Sequence, residues 1–597
     1  MRTRVDPRFV TLVAVTVGLS FHGLGCEQLL GLDAYKNVYC IPGKEQQSCY
    51  TGPAGTQGKG KCRAGMRTCL VDGSDFGPCE GEVLPDAEDD CSDRVCEQGE
   101  QKSCYDGPPA TLGIGICKAG TQTCAADGLS FGPCVGAVEP DLADQNGGAC
   151  SDSAWSEIFG DVADQQATAI AADVQGGVFI GGPLKGAVKF GTQKSLIAVG
   201  NNDYFVAKFD SAGTALWAKK LGDGSGGIVS SRIAVDSKGN VVLAGQLLGT
   251  LNVDGQTVQS AGGADVLVVK LDAAGAVIWA KAFGGASSQS AWALATDSHD
   301  DVIVAGSFTG SLSFGGATLS NPGGGQDAFL TKLAADDGAH VWSKSFSEPS
   351  GQPSSSQVIN DIAVDAADNI LIVGSFDGSS DWGGLSFTSN GQLDIILAKY
   401  DASGNHGWSA SFGGPGFDVG TRVAADSTGN AVMVGYHGST VYFGGSNIPP
   451  PADGISLGVY VAKFGNTGTH QWSKSIAEVG IPLSNDGVSP AVVVGAMDRV
   501  IIAGAFTATA DLGGGVLAST GGYDVYLGKL APTGEHEWSK TFGDGSDQWA
   551  TAVCVDPKSG SVLLTGGAFG AVDFGTGTRT STGGADAFLA KVPTSGP

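Results

Sequence analysis

A chain of 597 residues is too long for one compact core, so a large repeat domain with an appendage is the expected organisation. Glycine is abundant at 96 residues, charged residues make up only 16%, and hydrophobic content stays at 42%, a balance that excludes disorder and suits tightly turned β-structure. The formal net charge of −27 argues against nucleic acid as a partner, because phosphates demand Lys- and Arg-rich surfaces; such an acidic surface serves solubility outside the cell.

Residues 1–25 read as an export signal. Arg2, Arg4 and Arg8 make a basic start, and Phe9 to Phe21 is an apolar run too short to span a bilayer stably. Gly23-Leu24-Gly25-Cys26 follows, and this string resembles the lipobox of bacterial lipoproteins. The resemblance implies that Cys26 becomes the new N-terminus and carries acyl chains, with residues 26–39 a lipid-anchored linker and the membrane a partner. Gly23 stands where that family usually has leucine, so cleavage without acylation, giving a secreted protein, stays open. Glu27 replaces the aspartate associated with inner-membrane retention, which favours the outer membrane or cell surface.

Two cysteine-rich modules come next, at 40–94 and 95–150. The first holds Cys40, Cys49, Cys62, Cys69, Cys79 and Cys91; the second holds Cys96, Cys104, Cys117, Cys124, Cys134 and Cys150. SCYTGPAGTQGKGKCRAGMRTC in one matches SCYDGPPATLGIGICKAGTQTC in the other, so the module is duplicated. Segments this short bury too little apolar surface to fold alone, and three disulfides apiece are expected, in any of 15 pairings. Zinc is disfavoured because both modules lack histidine and CxxC pairs. The modules resemble cysteine-rich repeats of bacterial cell-surface proteins, some of which end in an Asn-Asp-Cys-Asp-Gly metal-binding stretch. The tails here, PDAEDDCSD and PDLADQNGGACSD, do not carry it.

From 151 to 597 one unit recurs. Trp155, Trp217, Trp279, Trp342, Trp408, Trp472 and Trp538 sit 62 to 66 residues apart in similar strings such as WAKKLG, WAKAFG and WSKTFG. Residues 231–284 show the unit: SRIAVDS, a tight turn at SKGN, the apolar run NVVLAGQL, a loop of roughly 18 residues, then a hairpin of DVLVVKLD and AVIWAKAFG. Four antiparallel strands per repeat predict a propeller blade. Seven third strands can be counted, the last at DAFLAKVP, and it lacks a fourth strand. A lone fourth strand lies at Trp155 ahead of any first strand. The fold class is therefore all-β: a seven-bladed propeller closed by its N-terminal strand, preceded by two small disulfide modules. The W-[SA]-K-x-F-G-G, I-A-V-D-x-x-G-N and D-A-F-V-A-K strings over 153–593 resemble the bacterial SBBP-type β-propeller repeat, which implies an extracellular repeat domain and assigns no activity.

Recurring polar residues are read as structural. Lys208, Lys270, Lys332, Lys399, Lys463, Lys529 and Lys591 occupy one position in the third strands and should pair with acidic neighbours or lay their stems along the next blade. Asp203, Asp265, Asp327, Asp394, Asp524 and Asp586 open six of those strands, Gly458 the other. His340, His406, His470 and His536 also recur, but equivalent atoms on different blades stand too far apart for one metal ion. Cys554 aligns with Ala234 and Ala363 and reads as a small buried thiol. GLSFG around Ser130 and GISLG around Ser456 spell GxSxG outside a strand–turn–helix setting and are chance matches. No cofactor, metal or catalytic residue is expected.

The loops running from each tryptophan strand into the next blade differ, and in propellers they share one face near the axis. Asp161, Asp164, Asp223, Asp418, Asp486, Asp544 and Asp547 fall there and mark the candidate binding face. The leading expectation is a non-enzymatic surface scaffold that binds protein or glycan through that face. The alternative is an extracellular hydrolase or lyase acting on sugars or lactones, which needs polar groups converging at the channel mouth.

Overall fold

The computed structural model describes residues 154–593 apart from 193–194, 201–202, 223, 225, 322, 349–354, 452, 455 and 480–488, together with 41, 46–51, 57, 62–71, 75–84, 100–104, 120–124 and 131. The signal segment and Cys26 lie outside the described residues. The described residues fall into two compact units, one from 41 to 131 and one from 154 to 593. Among them no helix is long and apolar enough to cross a membrane.

In the first unit each duplicated module contributes the same two-stranded ribbon. Gln46–Cys49 pairs with Gly65–Thr68, and Gln101–Cys104 with Gly120–Thr123, with Cys49 opposite Gly65 and Cys104 opposite Gly120. A disulfide joins Cys49 to Cys79, and Cys62, Cys69, Cys104 and Cys124 are disulfide-bonded as well. So small a unit gains much of its stability from such crosslinks, about 2–4 kcal/mol apiece.

The second unit is a seven-bladed propeller of four-stranded antiparallel sheets. The first strands are Ala169–Ala172, Gly226–Val235, Gln289–Thr296, Gln357–Val364, Asp418–Ala425, Ala491–Val494 and Gln548–Val555 in blades 1 to 7. They touch one another in succession round a closed ring, and the second, third and fourth strands follow outward. Blade 7 takes its fourth strand, Trp155–Phe159, from the start of the domain, with Lys591 opposite Trp155 and Ala587 opposite Phe159. The second and third strands, such as Val302–Phe308 and Asp327–Leu333, are buried along their whole length, as their unbroken apolar runs require. The core is accordingly divided into seven large clusters, one at each blade–blade interface, and a small eighth of Ala505, Trp549 and Ala585.

Three repeated devices hold the blades. In six of them the aspartate after the first strand pairs with the third-strand lysine: Asp173–Lys208 at 3.0 Å, Asp236–Lys270 at 2.9 Å, Asp297–Lys332, Asp365–Lys399 at 2.7 Å, Asp426–Lys463 at 2.8 Å and Asp556–Lys591 at 2.8 Å. The same carboxylate caps its turn: Asp426 accepts from the Thr428 and Asn430 amides. Burial works against its charge, but Lys463 and Asn430 outweigh burial and hold its pKa down to about 2. Removing one partner of such a buried pair costs about 3–5 kcal/mol. Blade 6 has Gly495 in place of the aspartate, and there Glu537 faces Lys529 at 3.6 Å.

The second device is the tryptophan. Its indole N–H donates to a carbonyl in the outer turn of the following blade: Trp155 to Ser211, Trp217 to Ala273, Trp279 to Ala335, Trp408 to Asn466 and Trp472 to Pro532, all at 2.8–3.2 Å. The third device replaces what the sequence presents as a long irregular loop. Between the second and third strands lies a small hairpin whose apolar residue plugs the interface core: Phe190, Val253, Phe314, Trp382, Phe443, Leu512 and Phe574. Burial of that side chain, with hairpin neighbours such as Val188, Leu251, Leu312, Val441 and Val572, folds the segment back. The Gly-Gly turns beside it leave room for the fourth-strand histidines; a Cβ on Gly316 would come within 2.2 Å of the His340 ring. Each of these four imidazoles lies 2.9–3.1 Å from a serine hydroxyl three residues on.

Candidate functional site

The loops entering blades 1 and 7 are near-copies, Gly160-Asp-Val-Ala-Asp-Gln-Gln-Ala167 and Gly543-Asp-Gly-Ser-Asp-Gln-Trp-Ala550. Asp161 and Asp544 are their staples. Asp161 Oδ1 accepts from the Ala163 amide and Gln165 Nε2, both at 2.8 Å, and Oδ2 from the Ala187 amide at 2.7 Å. Asp544 repeats this with Ser546, Gln548 and Ala571, each at 2.8 Å. Burial opposes the charge, yet these donors hold both carboxyls below the usual range.

Asp164 and Asp547 tie each loop to the preceding blade. Asp164 Oδ1 accepts from the Ala585 amide at 3.2 Å, and Asp547 Oδ1 from the Tyr523 amide at 2.8 Å. With the loops fixed in this way, a cavity of about 270 Å³ opens between blades 6, 7 and 1, lined by Asp164, Asp547, Gln166, Tyr523, Trp549 and Phe569. Lys185 stands at its edge, exposed. Trp549 Nε1 donates to Gln166 Oε1 at 3.2 Å, and the Trp549 and Phe569 rings meet at 5.8 Å, tilted by 51°. Burial, then the Asp547 charge, raises the Tyr523 phenol, which keeps it a neutral hydroxyl. Chemically this is a small pocket with aromatic faces, two anchored carboxylates and an amide.

The structure therefore brings Asp161, Asp164, Asp544 and Asp547 together, the first and third as loop staples and the other two as pocket walls. Asp418 is different. It is fully buried in blade 5, where Oδ2 accepts from the Gly414 amide at 2.8 Å and the Ser439 hydroxyl at 2.6 Å. Asp223 and Asp486 lie outside the described residues. Cys554 is a free thiol packed beside the core of blades 7 and 1. Among the described residues no three His, Cys, Asp or Glu side chains are grouped to hold a metal ion.

Tyr523, Trp549, Phe569 and Gln166 escape a reading of the repeats, because none occupies a recurring position. One signal was there: only the loops entering blades 1 and 7 spell GDxxDQ, and ring closure makes those blades neighbours.

No protein-family profile matches the chain. Over 143 residues it is 32% identical to the regulatory protein FlaEY of Caulobacter vibrioides, spanning 23% of this chain and 14% of that protein. Over 121 residues it is 28% identical to an uncharacterized WD repeat-containing protein of Acanthamoeba polyphaga mimivirus, spanning 19% and 9%. The chain thus matches only a small part of each of these relatives. Among solved structures it is similar to BamB from Moraxella catarrhalis, with a TM-score of 0.30 and 13% identity over 83% of this chain and 100% of that one. It is also similar to the quinohemoprotein alcohol dehydrogenase of Comamonas testosteroni (TM-score 0.33, 11% identity, 73% and 76% covered) and to a polysaccharide lyase, an ulvan lyase (0.38, 10%, 69% and 93%). Likeness at this level assigns no activity.

Proposed function

We propose that the propeller is a non-enzymatic binding domain that takes a glycan through the pocket between blades 6, 7 and 1, on an exported protein anchored by acylation of Cys26. The observation that carries this reading is the meeting of Trp549, Tyr523 and Phe569 with Asp164 and Asp547 in one cavity. Aromatic faces accept the apolar C–H face of a sugar ring, and carboxylates held in place by backbone amides accept hydrogen bonds from its hydroxyls. Export is supported by the signal at residues 1–25 and by the Cys49–Cys79 disulfide, since such bridges persist in oxidising compartments. The repeat strings fit kinship with the SBBP-type propellers, and that kinship is part of the same proposal.

The test is a binding screen of the full chain against glycans and surface proteins, with Asp164→Asn and Asp547→Asn as probes. We expect a glycan ligand whose affinity falls about tenfold in each variant, the worth of one charge-assisted hydrogen bond. A ligand indifferent to both variants removes the pocket from the proposal. Capture of a protein instead moves the partner class, and turnover of the bound sugar converts the reading to a hydrolase or lyase. Mass analysis of the membrane fraction decides the anchor: a mature chain without lipid on Cys26 ends that part.

A further inference from the structure

The pocket differs from the other loop junctions of the ring in both charge and aromatic content. Counted back from Gln165 and Gln548, the loops entering blades 1 and 7 place Asp161 and Asp164, and Asp544 and Asp547. Counted in the same way from Gln289 and Asp418, blades 3 and 5 have Gly285 and Ser288, and Gly414 and Phe417. Trp549 is equally particular to this place, since Ser290 and Val419 stand at its position in blades 3 and 5. Carboxylates and an indole have thus been put where other blades manage without them.

The four acids are not equivalent. Asp161 and Asp544 each take three loop donors and have no role left beyond the loop. Asp164 and Asp547 are fixed through one oxygen only: Oδ1 accepts the Ala585 amide at 3.2 Å and the Tyr523 amide at 2.8 Å. Their Oδ2 atoms, and the Tyr523 hydroxyl, have no hydrogen-bond partner among the described residues. Lys185 is the one cation lining the cavity; it is exposed at the edge and makes no ion pair among the described residues. Both wall carboxylates therefore keep an accepting oxygen and an uncompensated charge beside the rings of Trp549, Tyr523 and Phe569.

A neutral sugar entering this cavity displaces water from both carboxylates without offsetting their charge, which is unfavourable. An ammonium group offsets it. It brings three donors to oxygens that lack one, in charge-assisted bonds about twice as strong as neutral ones, and a cation is also attracted to aromatic faces. The cavity, about 270 Å³, lies at the small end of ligand pockets, so it takes a single ring of a longer chain. We infer that the pocket selects an amino sugar with a free, protonated amine, its ammonium held by Asp164 and Asp547 and its ring laid against Trp549. This rests on the glycan reading above and narrows it to one class of sugar.

The full chain is titrated calorimetrically at about pH 6, where amines are protonated, with chitosan, chitin and cellulose oligomers of equal length. The three share one linkage and differ at one carbon, which carries an ammonium, an acetamide or a hydroxyl. We expect the chitosan oligomer to bind at least about tenfold more tightly than the other two. Asp164→Asn and Asp547→Asn should each weaken it about tenfold, since asparagine can still accept the loop amide but carries no charge. Lys185→Gln should strengthen it. Asp336→Asn with Asp337→Asn, two exposed acids in the outer turn of blade 3, removes charge far from the pocket and should leave affinity unchanged. Equal binding of the three oligomers, weakened by the pocket variants, overturns the amine and leaves the glycan pocket standing. A loss in the Asp336 and Asp337 double variant as large as in the pocket variants marks attraction to an acidic surface and also overturns the inference. So does a parent chain that binds no chitosan; the glycan reading falls with it only if the wider screen finds no other sugar sensitive to Asp164→Asn. Should a pocket variant fail to fold, Lys185→Gln decides, and unchanged or weaker chitosan binding there overturns the inference.

Discussion

At the scale of single residues, the aspartates that open the third strands set the pH behaviour. One oxygen of Asp265, Asp394 and Asp586 accepts the amide four residues upstream, from Ala261, Asn390 and Thr582 at 2.8–3.0 Å. The other oxygen is buried without a hydrogen-bond partner, as are oxygens of Asp203, Asp327 and Asp524. Burial raises the carboxyls of Asp265, Asp394 and Asp586, and for Asp327 burial and the Glu348 carboxylate raise it to about 7. A carboxyl that holds its proton more tightly when folded adds stability at low pH and loses it as pH climbs from 3.8, its unfolded value, to about 7. Asp236, Asp365, Asp426 and Asp556 run the other way, because their lysine partners lower them, so their contribution is lost as pH falls below the ordinary carboxylate range. Stability should therefore peak on the acid side of neutrality. We predict that the denaturation midpoint drops between about pH 4 and about pH 7, and that Asp327→Asn makes the drop shallower; equal slopes for the two proteins would refute the assignment. Blade 5 is the exception that explains itself. Gly458 replaces the aspartate because a Cβ there would lie 2.2 Å from Nε2 of His437, which fills the space from the opposite strand.

At the scale of the element, the outer hairpin of each of blades 1 to 6 is locked by the tryptophan of the blade before it. Gly534 shows how. Its φ of 84° lies in the left-handed region, and an added Cβ would come within 2.7 Å of the Trp472 ring whose N–H donates to Pro532. Gly577, with φ 97° and nothing within 4 Å, has the backbone strain without the contact. Gly534→Ala should cost about 1–3 kcal/mol more than Gly577→Ala in urea unfolding, the usual penalty of overpacking. Equal losses would mean that the indole stacking contributes nothing beyond turn geometry. The small hairpins between second and third strands were the part of the blade the sequence did not show. They have only two to four residues per strand, too few for a visible alternation, and the apolar residue that plugs the core, aromatic in five of the seven, reads locally as an isolated residue.

At the scale of the molecule, closure is the feature on which the rest depends. Trp155–Phe159 covers the edge of Asp586–Val592, and Trp155 reaches on to Ser211 in blade 1, so one short strand joins blade 7 to blade 1. Deleting 154–160 should leave that edge open to other chains. The expected outcome is loss of cooperative unfolding and a concentration-dependent rise in light scattering. A monomeric variant that melts like the parent would show that seven blades close by packing alone.

Blade number, strand order and the closing strand were all legible in the sequence, because each follows from a string repeated every 62 to 66 residues and from counting which copy lacks a partner. The lysine ring was legible for the same reason, since a side chain present in every blade meets an equivalent acidic neighbour in six of the seven. The pocket was not, because it is made of what differs between blades. Phe569 and Gln166 are some 400 positions apart, so no local period relates them. Only the closed ring, which sets blade 7 beside blade 1, determines which of the odd residues face each other.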